Sequence, residues 1–389
     1  MEARFGIIEQ LALAPLGSGP LDGTTFAVKD LFAIKGRVCG FGSPDWQASH
    51  APDSQNAPVI DQLRSAGASL EYVTVSDELA LSLDGLNTHY PLPINRQSPD
   101  RICGGSSSGS ASACAHELVD FALGTDTAGS VRVPAAYCGL YGLRPTHGAI
   151  STEGVLPLGP SFDTVGVMTR DAKMLERVTS VLLPQFGRDC GVQETMFVDN
   201  HMLSLLDQRL GLRSEEIVDR FAQHFKQVRR DDFGFDLAAY ANHYAVMRGY
   251  ESWQEHGQWW QEHKPQLLAG THERFIAGSN VTQADYEQSL KAYRLVRQKM
   301  RDFFVSGGVI FTPTVWTYAP LLTASAEELA SNRQRNILLT ALSFFAGLPQ
   351  LTIPVKIEAD SRYPATFGFS LIGNYGSDLA LTKLACQLS

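Results

Sequence analysis

The sequence predicts an α/β fold, a β-sheet with helices on its faces. Short apolar and β-branched runs alternate with helical periods, and tight glycine turns separate them. A chain of 389 residues can bury a large core without disulfides or metal. Hydrophobic residues at 44% and charged residues at 19% give the balance of a globular protein. No internal repeat, low-complexity tract or Pro/Ser linker divides the chain, so one domain over 1–389 is expected. Composition shifts in three zones. Residues 20–170 are rich in Gly and Ser, residues 172–304 carry helical periods, and from 305 short apolar runs alternate with turns.

The elements follow in order. Thr24 to Val28 (TTFAV) is a β-prone run that delivers Lys29 at its end. Ala57 to Ala66 reads as a helix, with Val59, Ile60 and Leu63 on one face and Gly67 as its stop. Ser69 to Val75 is a second strand. Ser110 to Cys114 begins a helix of small residues after the loop GGSSSGS. Phe121 to Gly124 is another apolar run, and Pro134 to Gly142 suggests a short helix. In the middle zone, Thr282 and Asp285 form a capping box for a helix to about Phe304. Before it lies an aromatic cluster of Trp253, Trp259 and Trp260, with Tyr244 and Tyr250 upstream. Aromatic residues at helical spacing make either core or the wall of an apolar pocket. Gly308 to Phe311 and Leu351 to Pro354 read as buried strands, and Asn336 to Phe345 as a helix.

A formal net charge of −9 argues against nucleic acid and against an anionic membrane surface as partners. The one dense basic stretch, Lys226 to Arg230, is followed at once by Asp231 and Asp232 and reads as a solvated helix end. The N-terminal stretch MEARFGIIEQ lacks the basic start and apolar core of a signal peptide, and no 18-residue apolar run follows. The six cysteines, Cys39, Cys103, Cys114, Cys138, Cys190 and Cys386, show no metal-ligand spacing. They are expected to be buried, reduced thiols of a cytoplasmic protein, with no metal site.

The richest stretches are CGGSSSGSASAC (Cys103 to Cys114) and ALGTDTAGSVRVPAAYCGLYGLRPTHG (Ala122 to Gly148). Glycine-rich loops cradle phosphates or present backbone N–H groups to a developing oxyanion. The phosphate motifs GxxxxGK[ST] and GxGxxG are absent here. A structural Gly/Ser loop is the remaining bland reading. Ser130 follows TDTAG, a segment able to curl several N–H groups toward one point. A serine nucleophile needs a base. His89, His116 and His147 are the nearby histidines, without a local signature. Lys29, in the apolar context FAVKDLFAI, is the alternative, provided burial lowers its pKa.

These segments resemble the amidase signature hydrolases, whose motif is GGSSSGSA, then about two dozen residues, then GTDTGGSxRxPAxxCGxxGxKPT. TTFAVKDLFAIKGRVCGFGSPDW and SDELALSLDGLNTHYPLPINRQSPDRICGGSSSGS are similar to the family's N-terminal segments. FTPTVWTYAP and FFAGLPQLTIPV resemble its C-terminal strands. The resemblance implies a large mixed, twisted central β-sheet flanked by helices on both faces, with 172–304 a variable substrate-pocket region. It implies Lys29 as base, Ser106 as a bridging serine preceded by a cis peptide, and Ser130 as nucleophile. The implied oxyanion hole is the backbone N–H row of Thr127, Ala128, Gly129 and Ser130. No metal or organic cofactor is implied. The expected partner is a small amide, with at most a second copy of the chain in a homodimer.

Three departures stand out. Ala128 replaces the first of the two family glycines before the nucleophile, and a negative φ there would make it harmless. Arg144 stands where the family has Lys in KPT, and the chain is short. GFGSPDW and the short length look most like the indole-3-acetamide hydrolase type, so the expected reaction is hydrolysis of a small aromatic or aliphatic primary amide. A glutaminase-type subunit of a tRNA-dependent amidotransferase is the alternative, against which charge and length speak. A catalytically silent binding subunit is a third reading, opposed by the intact Lys29, Ser106 and Ser130.

Overall fold

The structure, a computed structural model, describes residues 2–183, 194–357 and 366–388. Eleven strands form one sheet among the described residues. They are β1 (Ile7–Leu13), β2 (Thr25–Lys29), β3 (Ser69–Thr74), β4 (Phe121–Thr125), β5 (Tyr141–Arg144), β6 (Val165–Thr169), β7 (Thr195–Asp199), β8 (Gln227–Asp231), β9 (Val309–Pro313), β10 (Gln350–Lys356) and β11 (Thr366–Ile372). Their spatial order is β1-β3-β2-β4-β6-β5-β10-β11-β9-β7-β8. The sheet is mixed: β2 runs parallel to β3 and β4, β7 parallel to β8 and β9, and the other pairs are antiparallel.

Strand alternation assigns the two faces. Phe26 and Val28 of β2 pack with Phe121, Leu123, Val165 and Val167 in the main core, under Leu175 and Val178 of the helix Ala172–Leu182. Ala27, between them, packs on the other side with Ala122 and Met168, against Ala111 and Cys114 of the helix Ser108–Ala115. Helices therefore cover both faces. Lys29 shares its parity with Ala27 and so points toward the Gly/Ser segment.

The predicted elements appear with small shifts at their ends. The Ala57–Ala66 helix spans Pro58–Ser65, and Gly67 follows it at φ +103°. The Thr282 capping box closes as read, opening the helix Gln283–Phe303. The helix expected at Asn336 begins ten residues earlier, at Ala326, behind a second capping box of Ser325 and Glu328. The stretch Pro134 to Gly142 splits: the helix Arg132–Cys138 ends on Gly139 at φ +68°, and β5 begins at Tyr141.

Two expectations need correction. The basic run Lys226 to Arg230 is not a helix end but forms the edge strand β8, exposed along its whole length. Charged side chains on an edge strand discourage pairing with other chains, and here Arg230 pairs with Glu215 and Lys226 with Glu194. The middle zone is also not purely helical, since it contributes β7 and β8 to the sheet. Both have the same cause: a five-residue strand is too short for its period to emerge from flanking helices.

Cys39, Cys103, Cys114 and Cys138 are buried free thiols and Cys386 is partly buried, while Cys190 lies outside the described residues. No cluster of three or more His, Cys, Asp or Glu residues able to hold a metal occurs among the described residues. No described helix is long and apolar enough to cross a membrane.

Candidate active site

Strand β2 ends at Lys29, which is fully buried. Its Nζ lies 2.7 Å from Ser106 Oγ and 2.8 Å from Thr125 Oγ1, the last residue of β4. Ser106 follows a cis peptide bond after Gly105 and precedes the helix Ser108–Ala115. Glycine is required at 105, because a Cβ there would stand 2.3 Å from Asp77 Oδ2. Asp77 closes this corner of the site: Oδ2 accepts from Gly85 N at 3.0 Å, while Oδ1 has no partner among the described residues.

Burial decides the charge on Lys29. It pushes the pKa from 10.5 down to about 7, against the opposing pull of the Asp77, Asp163 and Asp126 carboxylates. Asp30, the next residue, takes no part in this. Its carboxylate pairs with Arg37 and accepts from Gly40 N. Asp77 moves the other way: burial, helped by nearby Asp84, raises it, while Gly85 N–H and Lys29 oppose. Lys29 and Asp77 therefore titrate as a pair.

Ser130 sits in the loop between β4 and the helix Arg132–Cys138. The loop is wound about the buried Asp126 carboxylate, which accepts from the backbone N–H groups of Gly129 (2.8 Å), Val131 (3.0 Å) and Arg132 (3.2 Å). The Arg132 guanidinium adds bonds of 3.0 and 2.7 Å, and Arg144 Nη1 lies 3.2 Å away. Burial alone would raise this carboxyl, but the two guanidiniums and the N–H groups hold it well below the usual range. Arg144 also donates to the Asp126 carbonyl and, at 2.8 Å, to the Phe162 carbonyl. The Lys-to-Arg departure is thus not remote from the site: it braces the loop that carries Ser130.

One N–H of the expected oxyanion row, that of Gly129, donates to Asp126 Oδ1 at 2.8 Å. Thr127, Ala128 and Ser130 keep N–H groups without partners among the described residues, and all three line a cavity of about 60 Å³. The positive φ in this loop falls on Gly129, at +140°, whereas Ala128 has none. Its methyl instead packs in the cluster that holds Tyr244 and Leu339.

The candidate histidines lie apart from this cluster. His89 bonds the Gln266 carbonyl, His116 the Ser112 carbonyl, and His147 the Pro160 carbonyl. Trp253, Trp259 and Trp260 pack with Phe41, Trp46 and Phe275, and none of them lines the cavity. They are core. Sequence reasoning missed Thr125, Asp77, Asp126 and Arg132. Thr125, Asp126 and Arg132 were within view, since all three are fixed letters of the quoted motif. Asp77 lies in the quoted segment SDELALSLDG, but an acidic residue in a loop reads as exposed until the fold buries it.

The profile of the amidase family matches residues 9–210. "Amidase 1" of Oryza sativa subsp. japonica is 37% identical over 98% of this chain and 94% of its own length. The translocon at the outer membrane of chloroplasts 64 of Pisum sativum is 31% identical over 94% of this chain and 65% of its own. A solved amidase crystal structure superposes with a TM-score of 0.84 at 30% identity, covering 95% of this chain and 85% of the other.

Proposed function

Because the chain belongs to the amidase family, we propose that it hydrolyses a small primary amide through an acyl-enzyme on Ser130. The observation that carries the reading is the Lys29 Nζ to Ser106 Oγ contact of 2.7 Å beside a loop that presents Ser130 to a cavity. Neutral Lys29 accepts a proton from Ser106 as Ser106 takes the proton of Ser130, whose Oγ attacks the amide carbon. The N–H groups of Thr127, Ala128 and Ser130 receive the oxyanion, each such donor being worth roughly 3 kcal/mol. Ser106 returns the proton to the leaving nitrogen, and ammonia departs. Water then attacks the ester by the same relay, releasing the carboxylate and restoring Ser130. No step requires a metal or organic cofactor.

Lysine suits this role only when neutral at working pH, and its burial supplies that condition. The assay is ammonia release from a panel of primary amides. Turnover by the parent chain, falling by roughly 10⁵-fold or more in Ser130→Ala, is the expected result. Turnover that survives Ser130→Ala would remove the serine from the chemistry. Glutamine belongs in the panel, since efficient ammonia release from it would favour the glutaminase reading.

A further inference from the structure

The cavity beside Ser130 carries charge that these steps do not use. Arg248, Arg274 and Arg333 all line it, and no Asp or Glu does. Among the described residues, Arg333 alone of the three has a carboxylate ion-pair partner, Asp84 Oδ2 at 2.6 Å. Arg274 spends Nε and Nη2 on the Leu81 carbonyl at 3.3 and 3.0 Å, with Thr271 Oγ1 at 3.4 Å. Arg248 is 8% exposed. Its Nη1 reaches the Arg274 carbonyl at 3.4 Å, and its Nε has no partner among the described residues.

A guanidinium cannot shed its proton to escape such a place. Buried cations are kept where an anion meets them, and unpaired ones are strongly unfavourable. The group here is near enough to feel itself: burial first, then Arg333 and Arg248, pull Arg274 down to about 10, against the opposing pull of the Asp84 and Asp77 carboxylates. Leu81, Leu83, Leu158 and Ile337 add an apolar part of the wall, which suits methylene groups, beside the polar Ser82 and Tyr244. At ~10–15 Å³ per water-sized position, a cavity of about 60 Å³ holds only a short acyl chain.

We propose that Arg248 and Arg274 form an anion subsite for a carboxylate on the acyl part of the substrate, making the preferred substrate the monoamide of a short dicarboxylic acid. The proposal rests on the reading of Ser130 as nucleophile, which fixes where the amide carbon sits. Hydrolysis then consumes one water and yields the dicarboxylate and ammonia.

Two pairs of amides test it: succinamate against butyramide, and glutaramate against valeramide, in which a methyl replaces the carboxylate. The expected kcat/KM ratio is on the order of 100 in favour of the acids, the size of a bidentate charge-assisted contact. It should shrink at least tenfold in Arg248→Met and in Arg274→Met. Because the ratio is taken within one variant, a general loss of folding or chemistry cancels. A ratio near one, a ratio untouched by both substitutions, or a preference for glutamine over glutaramate would overturn the subsite. Calorimetric titration of Ser130→Ala with succinate separates this from the hydrolase reading. Succinate binding lost in the arginine variants supports the subsite even if no amide is cleaved. Amide cleavage without succinate binding leaves the hydrolase standing and removes the subsite.

Discussion

Lys29 takes its character from position more than from identity. Its parity in β2 turns it to the face of the Gly/Ser segment, and burial there lowers its pKa to about 7. The proposed relay needs the neutral amine, so kcat/KM should rise about tenfold per pH unit below that value and level off above it. An unshifted lysine would keep the rate climbing toward 10. Asp77 raises the Lys29 pKa, so Asp77→Asn, which keeps an acceptor for Gly85 N–H, should move the acid limb to lower pH. A limb that stays in place or moves upward would separate Asp77 from the base. Arg144→Met should lower stability by roughly 1–3 kcal/mol in urea unfolding, because the buried Phe162 carbonyl loses its donor while Asp126 keeps Arg132. Lys29, Ser106 and Ser130 were legible because each stands in a long composite motif. The engagement of Gly129 by Asp126 was not, since a motif records which residues recur and not which way an N–H points.

At the scale of elements, the helix Ala326–Ala346 links the site to the sheet. Thr340 Oγ1 donates to the Ala128 carbonyl at 2.7 Å, and Ser343 and Gln350 both bond Arg132. Thr340→Val keeps the shape and removes the bond to the nucleophile loop. It should lower kcat more than it raises KM, as loss of positioning does. Ser325→Ala opens the exposed capping box at the far end, and should cost about 1 kcal/mol of stability with turnover unchanged. Equal effects of the two on kcat would deny the helix its positioning role. Its existence was legible from the apolar period at Asn336 to Phe345. Its first ten residues, Ala326 to Arg335, are mostly polar and show no such period. Strands β5, β6, β7 and β8 escaped for the related reason that four or five residues carry too little alternation to register, and the seven-residue β1 and β11 escaped as well.

Across the whole molecule, the sheet carries Lys29 and Thr125 on the neighbouring strands β2 and β4, while loops leading into two short helices bring Ser106 and Ser130. A separate aromatic core brings Trp46 against Phe41, His256 and Trp259. The sequence offered that cluster as core or pocket wall, and only packing could decide between them. The α/β class was legible from alternating runs, whereas the strand order needed the fold, because pairing between distant strands leaves no mark on local periodicity. The central claim is one activated serine, Ser130, served by Ser106 and Lys29. It is tested most directly by treating the folded chain with a fluorophosphonate and mapping the adduct by peptide mass spectrometry. The expected result is a single adduct on Ser130, formed at least a hundredfold more slowly in Ser106→Ala and Lys29→Ala. An adduct on another residue, or labelling of Ser130 at the parent rate in both variants, would contradict it.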